Sequence, residues 1–212
     1  MTVFTAYPWR TNSDLVADIA QFGYFEGSCL DPTYGWGNFY NKFRPADLTG
    51  CDLDPRKSPY GPGESVDFRK LPFEDLSFDT VIYDPPYRMS GRPDRGEFDE
   101  RYGTQEYTRW QDRYQLIYDG LDECARVARK YVLQKVQDQV VSGKKRWMTI
   151  DFPRHMEAYG FVLEDKFDML TNPRPQPPGR TQKHSQINYS TLLVFRRDKD
   201  FTLLRHGQPF RP

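Results

Sequence analysis

Apolar residues recur at helical spacing in three separate stretches of the chain. The stretch 12–21 begins with Asn12, a helix-capping residue type, and its apolar residues fall on one face of a helix. A longer helix is expected over about 105–130, and a third over about 144–160, where Gly160 ends it. Short apolar runs separate these helices, which is the pattern of an α/β domain.

Seven short apolar runs predict strands. They lie at residues 28–31, 46–52, 66–68, 79–84, 131–136, 161–170 and 187–195. A long polar loop joins the last two, which indicates an antiparallel hairpin at the edge of a sheet that is otherwise mostly parallel. With 212 residues the chain fits one domain with a substantial core, so we expect a single domain over 1–212.

The segment Phe78–Tyr87 carries the clearest chemical signal. Val81-Ile82-Tyr83 predicts a buried strand, and it stops at Asp84-Pro85-Pro86-Tyr87 because proline has no N–H for a strand ladder. A carboxylate, a carbonyl held by the proline rings and an aromatic ring are thus presented together at a strand's C-terminal end. Open α/β sheets bind ligands at that end. Taken alone, the segment is equally consistent with a strand that ends in a Pro-Pro turn.

Three earlier strand ends are also acidic. Asp31 is followed by a turn with Gly35 and Gly37, which lets the backbone approach a ligand closely. Asp52 lies 21 residues beyond Asp31, close to the ~20-residue interval at which a carboxylate meets a ribose hydroxyl in Rossmann-type sites. Asp67 ends the next predicted strand. The pattern favours a nucleoside-type cofactor over a dinucleotide, because no third glycine follows; a tight turn with solvated acids is the alternative.

Charge is balanced over the whole chain but not along it. The 30 basic and 30 acidic residues cancel, which excludes a global polyelectrolyte attraction to nucleic acid. Residues 1–87 hold 7 Lys and Arg against 13 Asp and Glu, whereas residues 171–212 hold 8 against 2. The basic C-terminal stretch is able to meet phosphates, and a solvated basic tail is the alternative.

The cysteines and the hydropathy bear on location and metal binding. Cys29, Cys51 and Cys124 are widely spaced and form no metal-binding pattern, so we expect buried free thiols of an intracellular protein. No signal peptide is visible, and no apolar run approaches the ~20 residues needed to span a bilayer. We therefore expect a cytoplasmic protein with no bound metal and no membrane partner.

Two polar loops stand beside the predicted ligand edge. Residues 88–104 are rich in glycine and in charges of both signs, and we expect either a mobile lid next to Tyr87 or a disordered surface insertion. Residues 171–186 form a basic, proline-rich loop that cannot be regular structure.

The Asp-Pro-Pro-Tyr sequence suits one kind of chemistry. Exocyclic amino groups of nucleobases are poor nucleophiles because the nitrogen lone pair is delocalised into the ring. Asp84 and the Pro85 carbonyl can accept hydrogen bonds from such an amine in a fixed geometry, so that its lone pair points at a methyl donor. Tyr87 can stack on the base, a contact worth ~1–3 kcal/mol on aromatic platforms. No cysteine follows a proline, which argues against C5 methylation through a cysteine adduct.

These motifs resemble those of the S-adenosylmethionine-dependent amino-methyltransferases of nucleic acids, specifically the DNA N6-adenine and N4-cytosine methyltransferases. Asp31-Pro32-Thr33-Tyr34-Gly35-Trp36-Gly37 is similar to their methionine-cradling motif, Asp52 to the ribose-binding acid, and Asp67-Phe68 to the pair that reads the cofactor adenine. Asp84-Pro85-Pro86-Tyr87 matches the catalytic motif, and Asp at its first position favours adenine N6.

The resemblance covers most of residues 8–196, including the strand end Lys135–Gln139, and the group includes many phage and bacterial orphan enzymes. It implies a Rossmann-like class I methyltransferase fold with a seven-stranded, mostly parallel sheet and an antiparallel edge hairpin. It also implies S-adenosyl-L-methionine as cofactor and DNA as substrate, with transfer to the exocyclic N6 of adenine in a flipped-out base.

The sequence departs from the family pattern in three ways. Trp36 stands between the glycines where a small residue is usual, so its ring must point away from the cofactor. The N-terminal Phe-x-Gly-x-Gly motif is absent, and only Tyr7–Thr11 is left for that role. No separate target-recognition domain of ~100 residues fits in the chain, so substrate contacts must come from 88–113 and 171–186.

For phosphate contacts the sequence offers Arg88, Arg174, Arg180, Lys183 and His184. Without a recognition domain, a homodimer or a partner that supplies target recognition stays open. So do an RNA methyltransferase acting on guanine N2 or adenine N6, and a DNA cytosine-N4 methyltransferase. A non-catalytic binding module is disfavoured because none of the motifs has lost its Asp or Gly.

Overall fold

The computed structural model describes residues 2–61, 64–89, 107, 109–172, 179 and 181–199. The strands in these ranges are β1 (Ala6–Tyr7), β2 (Ser28–Asp31), β3 (Asp47–Gly50), β4 (Phe78–Tyr83), β5 (Ala128–Val136), β6 (Gln139–Val141), β7 (Lys144–Arg146), β8 (Phe161–Leu170) and β9 (Tyr189–Arg197). The α-helices of the same ranges are α1 (Asn12–Ile19), α2 (Trp110–Val127) and α3 (Met148–Glu157), and short 3₁₀ turns lie at Ala20–Phe22 and Asn38–Tyr40.

Seven strands form one sheet in the order β1-β8-β9-β5-β4-β2-β3. β2 pairs in parallel with β3 and β4, β4 with β5, and β1 with β8, whereas β9 is antiparallel to both β5 and β8. The predicted α/β, Rossmann-like, mostly parallel sheet with an antiparallel strand pair is confirmed. From β2 the chain crosses first to β3 on one side and later to β4 on the other, so the crevice between β2 and β4 is a topological switch point.

One strand of the prediction is wrong, and another takes its place. Residues 66–68 form no strand, although the Val66 N–H donates to the Asp52 carbonyl at 3.0 Å. The Asp67 carboxylate accepts a hydrogen bond from the backbone N–H of Arg69 at 2.9 Å, which turns the chain before a strand can extend. The seventh strand is β1, which pairs with β8, so the antiparallel β8–β9 hairpin is not at the extreme edge.

The helix predicted from residue 144 is also wrong at its start. Residues 144–146 are β7, which pairs with β6 in an antiparallel hairpin. Ser142 and Gly143, with φ of 51° and 75°, supply the two left-handed residues that a tight hairpin turn of matching twist requires. Helix α3 begins only after this hairpin, at Met148.

The first helix is capped one residue earlier than predicted. The Thr11 hydroxyl, rather than Asn12, accepts the N–H of Asp14 at 3.1 Å, and the Asp14 carboxylate accepts the N–H of Thr11 at 2.8 Å. This reciprocal capping box satisfies two of the N–H groups that a helix start leaves unpaired. Helix α2 starts at Trp110, later than residue 105, and its apolar residues at helical spacing, including Tyr114, Ile117 and Leu121, are buried.

Apolar side chains pack against both faces of the sheet. Val81 and Val132 lie in the cluster under α2 and α3, whereas Ile82 and Leu133 lie in the cluster under α1. Successive strand residues therefore face opposite layers, as the period of two requires. All three cysteines are buried free thiols, as predicted. Within the described ranges, no helix combines the length and apolar character that crossing a bilayer requires.

Candidate active site

The carboxyl ends of β2 and β4 bring the two predicted halves of the site together. Asp31 is the last residue of β2, and Asp84 directly follows β4, the neighbouring parallel strand. The Asp31 carboxylate is buried and fully engaged within its own loop. Its Oδ1 accepts the N–H and hydroxyl of Thr33 at 2.9 and 3.1 Å, and its Oδ2 accepts the Tyr40 hydroxyl at 2.7 Å. The hydrogen bonds of Asp31 to Thr33 and Tyr40 therefore stabilise the conformation of the loop that follows β2.

The electrostatics of Asp31 follow from this enclosure. Burial raises the pKa of its carboxyl to about 6, and the hydrogen bonds from Tyr40 and Thr33 oppose that rise. The negative charge of Asp52 adds to the increase. Asp31 is thus an anion held in place by hydroxyl and N–H donors.

Asp52 lies against the glycine turn. One of its carboxylate oxygens accepts the N–H of Gly35 at 2.8 Å, and the other accepts the N–H of Asp54 at 2.9 Å. The side chain is half-buried, and each oxygen keeps a further lone pair. The structure therefore joins two residues that the sequence assigned to the same cofactor.

The two predicted glycines have different surroundings. A Cβ on Gly37 would lie 2.5 Å from the hydroxyl oxygen of Tyr34, and a Cβ on Gly50 would overlap the same ring, so both glycines accommodate Tyr34. Gly35 is open: its nearest atom, the Thr33 carbonyl oxygen, lies 4.0 Å from where a Cβ would be. Space for a ligand next to this loop is therefore at Gly35.

The other residues of the loop, Pro32, Tyr34 and Trp36, differ in how they pack against the protein. Pro32 is buried, and Tyr34 stacks on Tyr40 with ring centroids 5.9 Å apart. The Arg44 guanidinium donates to the Tyr34 hydroxyl at 2.8 Å. The Trp36 side chain is 60% exposed and points away from the loop interior, as the sequence requires.

The pair Asp67-Phe68 lies beyond the glycine turn. The Asp67 carboxylate is held by the guanidinium of Arg69, with the closest N–O distance at 2.6 Å. Phe68 packs edge-on against Tyr83, with ring centroids 5.5 Å apart. Asp67 is thus oriented by the neighbouring Arg69 cation, whereas Phe68 packs on the side chain of Tyr83 at the end of β4.

At the Asp-Pro-Pro-Tyr motif, one carboxylate oxygen of Asp84 has no hydrogen-bond donor in the described part of the chain. Its Oδ1 is buried and has no hydrogen-bond partner among the described residues. Pro85 is buried, while Pro86 and Tyr87 are half-buried and Tyr87 packs against the cluster under α2. Burial raises the pKa of the Asp84 carboxyl above its usual range; the charge of Lys135 opposes this rise and that of Asp31 adds to it. Buried acceptors normally have a hydrogen-bond partner, so this free oxygen is suited to accept a hydrogen bond from a bound ligand.

Two side chains hold the backbone that follows the motif. The Gln139 carboxamide donates to the Tyr87 carbonyl and accepts the N–H of Met89 at 3.0 Å. The buried Arg113 guanidinium donates to the carbonyls of Arg88 at 3.0 Å and Tyr107 at 2.7 Å. The position of Tyr87 is therefore set by residues far away in the sequence.

A basic surface lies beyond Gln139. We define the basic hairpin as β6 and β7 with their turn; it carries Lys144, Lys145 and Arg146 and no acidic residue. Lys145 lies 4.7 Å from the ring centroid of the exposed Trp147, and Arg146 stacks 3.7 Å over that of Trp110.

The polar loop before β9 docks on this hairpin. His184 forms a hydrogen bond through Nε2 to the Gly143 carbonyl at 2.7 Å, and Lys145 donates to the Ser185 hydroxyl. The exposed Lys183 is therefore brought beside the hairpin. Arg174, Arg180 and most of the expected lid at 88–104 lie outside the described residues.

Sequence reasoning missed several residues of the site. Thr33 was part of the first motif but had no assigned role, although an Asp followed two residues later by Thr is a typical side-chain-capped turn. Gln139 belongs to the strand end Lys135–Gln139 that the resemblance covers, but no partner was predicted for it. Lys135 lies inside a strand, and no local pattern distinguishes it from a solvated lysine. Among the described residues, no three His, Cys, Asp or Glu side chains are grouped to hold a metal ion.

The sequence matches no protein-family model and no curated protein. The fold is similar to that of magnesium protoporphyrin IX methyltransferase from Synechocystis PCC 6803 with bound SAH, with a TM-score of 0.55 and 13% identity over 89% of this chain and 82% of that chain. The same enzyme with bound SAM gives a TM-score of 0.48 and 16% identity over 89% and 79%. A candidate DNA modification methylase from Thermus thermophilus gives 0.40 and 16% over 69% and 53%.

Of these three comparisons, the first alone has a TM-score above 0.5 and supports an argument about fold. This chain itself has a mixed, mostly parallel sheet with helices packed on both faces. The chain has the class I methyltransferase fold.

Proposed function

We propose that the protein is an S-adenosylmethionine-dependent DNA methyltransferase that methylates the exocyclic N6 of adenine in a flipped-out base. The observation that carries the proposal is the unpartnered, buried Oδ1 of Asp84 beside the buried Pro85. Two prolines and the Gln139 clamp fix the acceptor and the aromatic ring of Tyr87 relative to each other. Fixed acceptors at a strand end suit an amine better than a carbonyl or a phosphate.

The residues present fit S-adenosylmethionine. Gly35 opens onto free space, and Asp52 holds lone pairs beside it for ribose hydroxyls. The methyltransferase fold supports the same cofactor. When bound, S-adenosylmethionine supplies an electrophilic methyl group on a sulfonium.

The chain's own residues position and deprotonate the amine. Asp84 Oδ1 and the Pro85 carbonyl accept its two hydrogens, so that the nitrogen lone pair projects out of the ring plane. Tyr87 stacks on the base and keeps it in the pocket. The proton that the amine gives up leaves along its hydrogen bond to Asp84 Oδ1. The base must leave the duplex first, because its amino group is out of reach of the motif within the stack.

The basic hairpin supports a nucleic-acid substrate. The hairpin starts at Gln139, whose side chain holds the Tyr87 backbone, and Gln139 pairs with Arg146. Lys145 and Lys144 follow toward the turn, with Lys183 beside that turn. Such cations bind phosphates without reading sequence. Together with Arg88, Arg174 and Arg180 they form our proposed contact surface for the DNA backbone.

The proposal is tested by identifying the methylated nucleoside. The protein is incubated with labelled S-adenosylmethionine and either duplex DNA or total RNA, and the digested products are analysed by mass spectrometry. Labelled N6-methyldeoxyadenosine is expected with the wild type and is lost in Asp84→Ala, but not in Asp47→Ala, an exposed control at the opposite end of the sheet. Label in RNA alone, or in N4-methyldeoxycytidine, would refute the adenine-DNA assignment.

The cofactor assignment has its own measurement. Titration calorimetry of S-adenosylmethionine should show weaker binding to Asp52→Ala than to the wild type, and unchanged affinity would refute the role of Asp52.

A further inference from the structure

Lys135 lies on β5 directly beside Asp84. The last paired residues of β4 and β5 are Tyr83 and Gln134, and the next residue of each chain segment is Asp84 and Lys135. Ile82 and Leu133, two positions earlier, pair with each other and belong to the cluster under α1. Because side chains alternate across a sheet, the side chains of Asp84 and Lys135 leave the sheet on this same face.

Lys135 Nζ and Asp84 Oδ1 are both buried atoms without a hydrogen-bond partner among the described residues. Lys135 is 1% exposed. A buried ammonium with no partner is costly, and so is a buried carboxylate. Their adjacency is therefore a feature that needs an explanation rather than ordinary core packing.

The charges around the pair favour mutual stabilisation. Burial lowers the pKa of Lys135, and the negative charges of Asp84 and Asp168 oppose that change. Burial raises the pKa of Asp84, the charge of Lys135 opposes this, and Asp31 adds to the rise. Of the groups that act on Asp84, Lys135 is the cation that keeps its carboxylate charged against burial and a neighbouring anion.

We propose that Lys135 is a positioning residue for Asp84: its ammonium keeps the carboxylate ionised, so that Oδ1 accepts a hydrogen bond from the substrate amine. The inference rests on the proposed function, in which Asp84 acts as an acceptor. A protonated Asp84 would be a weaker, uncharged acceptor, would carry an O–H donor on one oxygen, and could not take up the proton of the amine. Lys135 would therefore act on the reaction through Asp84 and make no contact of its own with the base.

The test combines a charge-removing variant with a charge-keeping one. Lys135→Met and Lys135→Arg are compared with the wild type in the pH dependence of kcat for methyl transfer at saturating cofactor, with the affinity for S-adenosylmethionine measured by calorimetry. In Lys135→Met the acidic limb of the profile should move upward by about one pH unit or more, which is roughly a tenfold loss of kcat below that limb. Activity should recover at alkaline pH, Lys135→Arg should stay close to wild type, and cofactor affinity should change less than about twofold.

Two outcomes would overturn the inference. An acidic limb that stays in place in Lys135→Met would show that Lys135 has no influence on Asp84. A large loss of cofactor affinity with an unmoved limb would show that Lys135 instead binds the cofactor carboxylate.

Additional variants keep the test decisive if Lys135→Met does not fold. Lys135→Gln is a second neutral replacement with the same expected profile. Asp84→Asn keeps an acceptor oxygen but can neither carry charge nor take up the amine's proton, so its kcat should be much lower than that of the wild type. Its residual activity should show no acidic limb, and adding Lys135→Gln should cause no further loss. A limb that persists in Asp84→Asn contradicts the inference. These profiles can be measured on whichever polynucleotide the wild type methylates, so failure of the DNA assignment is distinguishable from failure of the Lys135–Asp84 relationship.

Discussion

The hydroxyl of Thr33 accepts the backbone N–H of Asp84 at 2.9 Å, and the same hydroxyl donates to Asp31 Oδ1 at 3.1 Å. One side chain thus connects the loop after β2, our proposed cofactor side, with the motif after β4, our proposed substrate side. A hydroxyl can serve both bonds at once because it is both donor and acceptor. Displacement of either segment must therefore disturb the other.

Thr33→Val removes this link with little change in volume. It leaves the Asp84 N–H and an Asp31 lone pair unpaired, so we expect unfolding free energy to fall by ~1–3 kcal/mol and kcat to fall with it. Chemical denaturation and the methyl-transfer assay measure the two effects. Thr33→Ser, which keeps the hydroxyl, is the matched control, and equal losses in both variants would contradict the role of the hydroxyl.

Gln139→Leu removes both hydrogen bonds to the backbone of Tyr87 and Met89. We expect a higher KM for the polynucleotide and a lower kcat, because Tyr87 loses its fixed position, while cofactor affinity stays near that of the wild type. Steady-state kinetics and calorimetry check these outcomes. Gln21→Leu, a replacement at an exposed residue of the 3₁₀ turn that follows α1, should change neither quantity.

The basic hairpin should contribute to binding through phosphates. Lys144→Ala should weaken DNA binding at low salt. The plot of the logarithm of the association constant against the logarithm of salt concentration should fall less steeply, with a slope smaller in magnitude by about one. Fluorescence anisotropy at several salt concentrations measures that slope. Lys199→Ala is a suitable control, because Lys199 is exposed and follows β9, whose C-terminal end lies at the edge of the sheet opposite the site. Equal slopes for both variants would exclude the hairpin from the contact surface.

The buried Asp31 predicts a dependence of stability on pH. Burial raises the pKa of its carboxyl from 3.8 to about 6 in the folded protein, so the folded state binds this proton more tightly than the unfolded state. Proton binding by Asp31 therefore stabilises the fold fully below about pH 4. This stabilisation is lost as the pH rises to about 6, which lowers the unfolding free energy by up to about 3 kcal/mol.

The variant Asp31→Asn lacks that titration. The difference in unfolding free energy between wild type and Asp31→Asn should therefore change over pH 4 to 6 and stay constant above it. Denaturation at a series of pH values gives this difference, and a constant difference from pH 4 to 8 would contradict the assignment.

The features that sequence predicted well are those determined by local chemistry. Val81-Ile82-Tyr83 followed by two prolines can only be a strand that ends there, and β4 ends at Tyr83. The apolar face of α2, which includes Ile117 and Leu121, is an equally strong sequence signal because apolar residues recur at helical spacing over several turns.

The features that sequence missed depend on contacts between distant segments. β1 has two residues and exists because β8 offers an edge to pair with. The relationship between Lys135 and Asp84 depends on the register of β4 against β5, which no local pattern encodes. The strand predicted at 66–68 failed because the Asp67 turn outweighed a run with one buried apolar residue, Val66. Ser142-Gly143 is a turn signal, but the prediction assigned the residues after it, from Lys144 on, to the helix that in fact begins at Met148.

The central claim is tested most directly by methylation in a host that lacks adenine methylation of its own. Genomic DNA and total RNA are taken from cells expressing the wild type or Asp84→Ala, digested to nucleosides and quantified by mass spectrometry. The account predicts N6-methyldeoxyadenosine in DNA with the wild type and none with Asp84→Ala at equal protein level. A methylated nucleoside found in RNA alone, or N6-methyldeoxyadenosine that persists in Asp84→Ala, would contradict it.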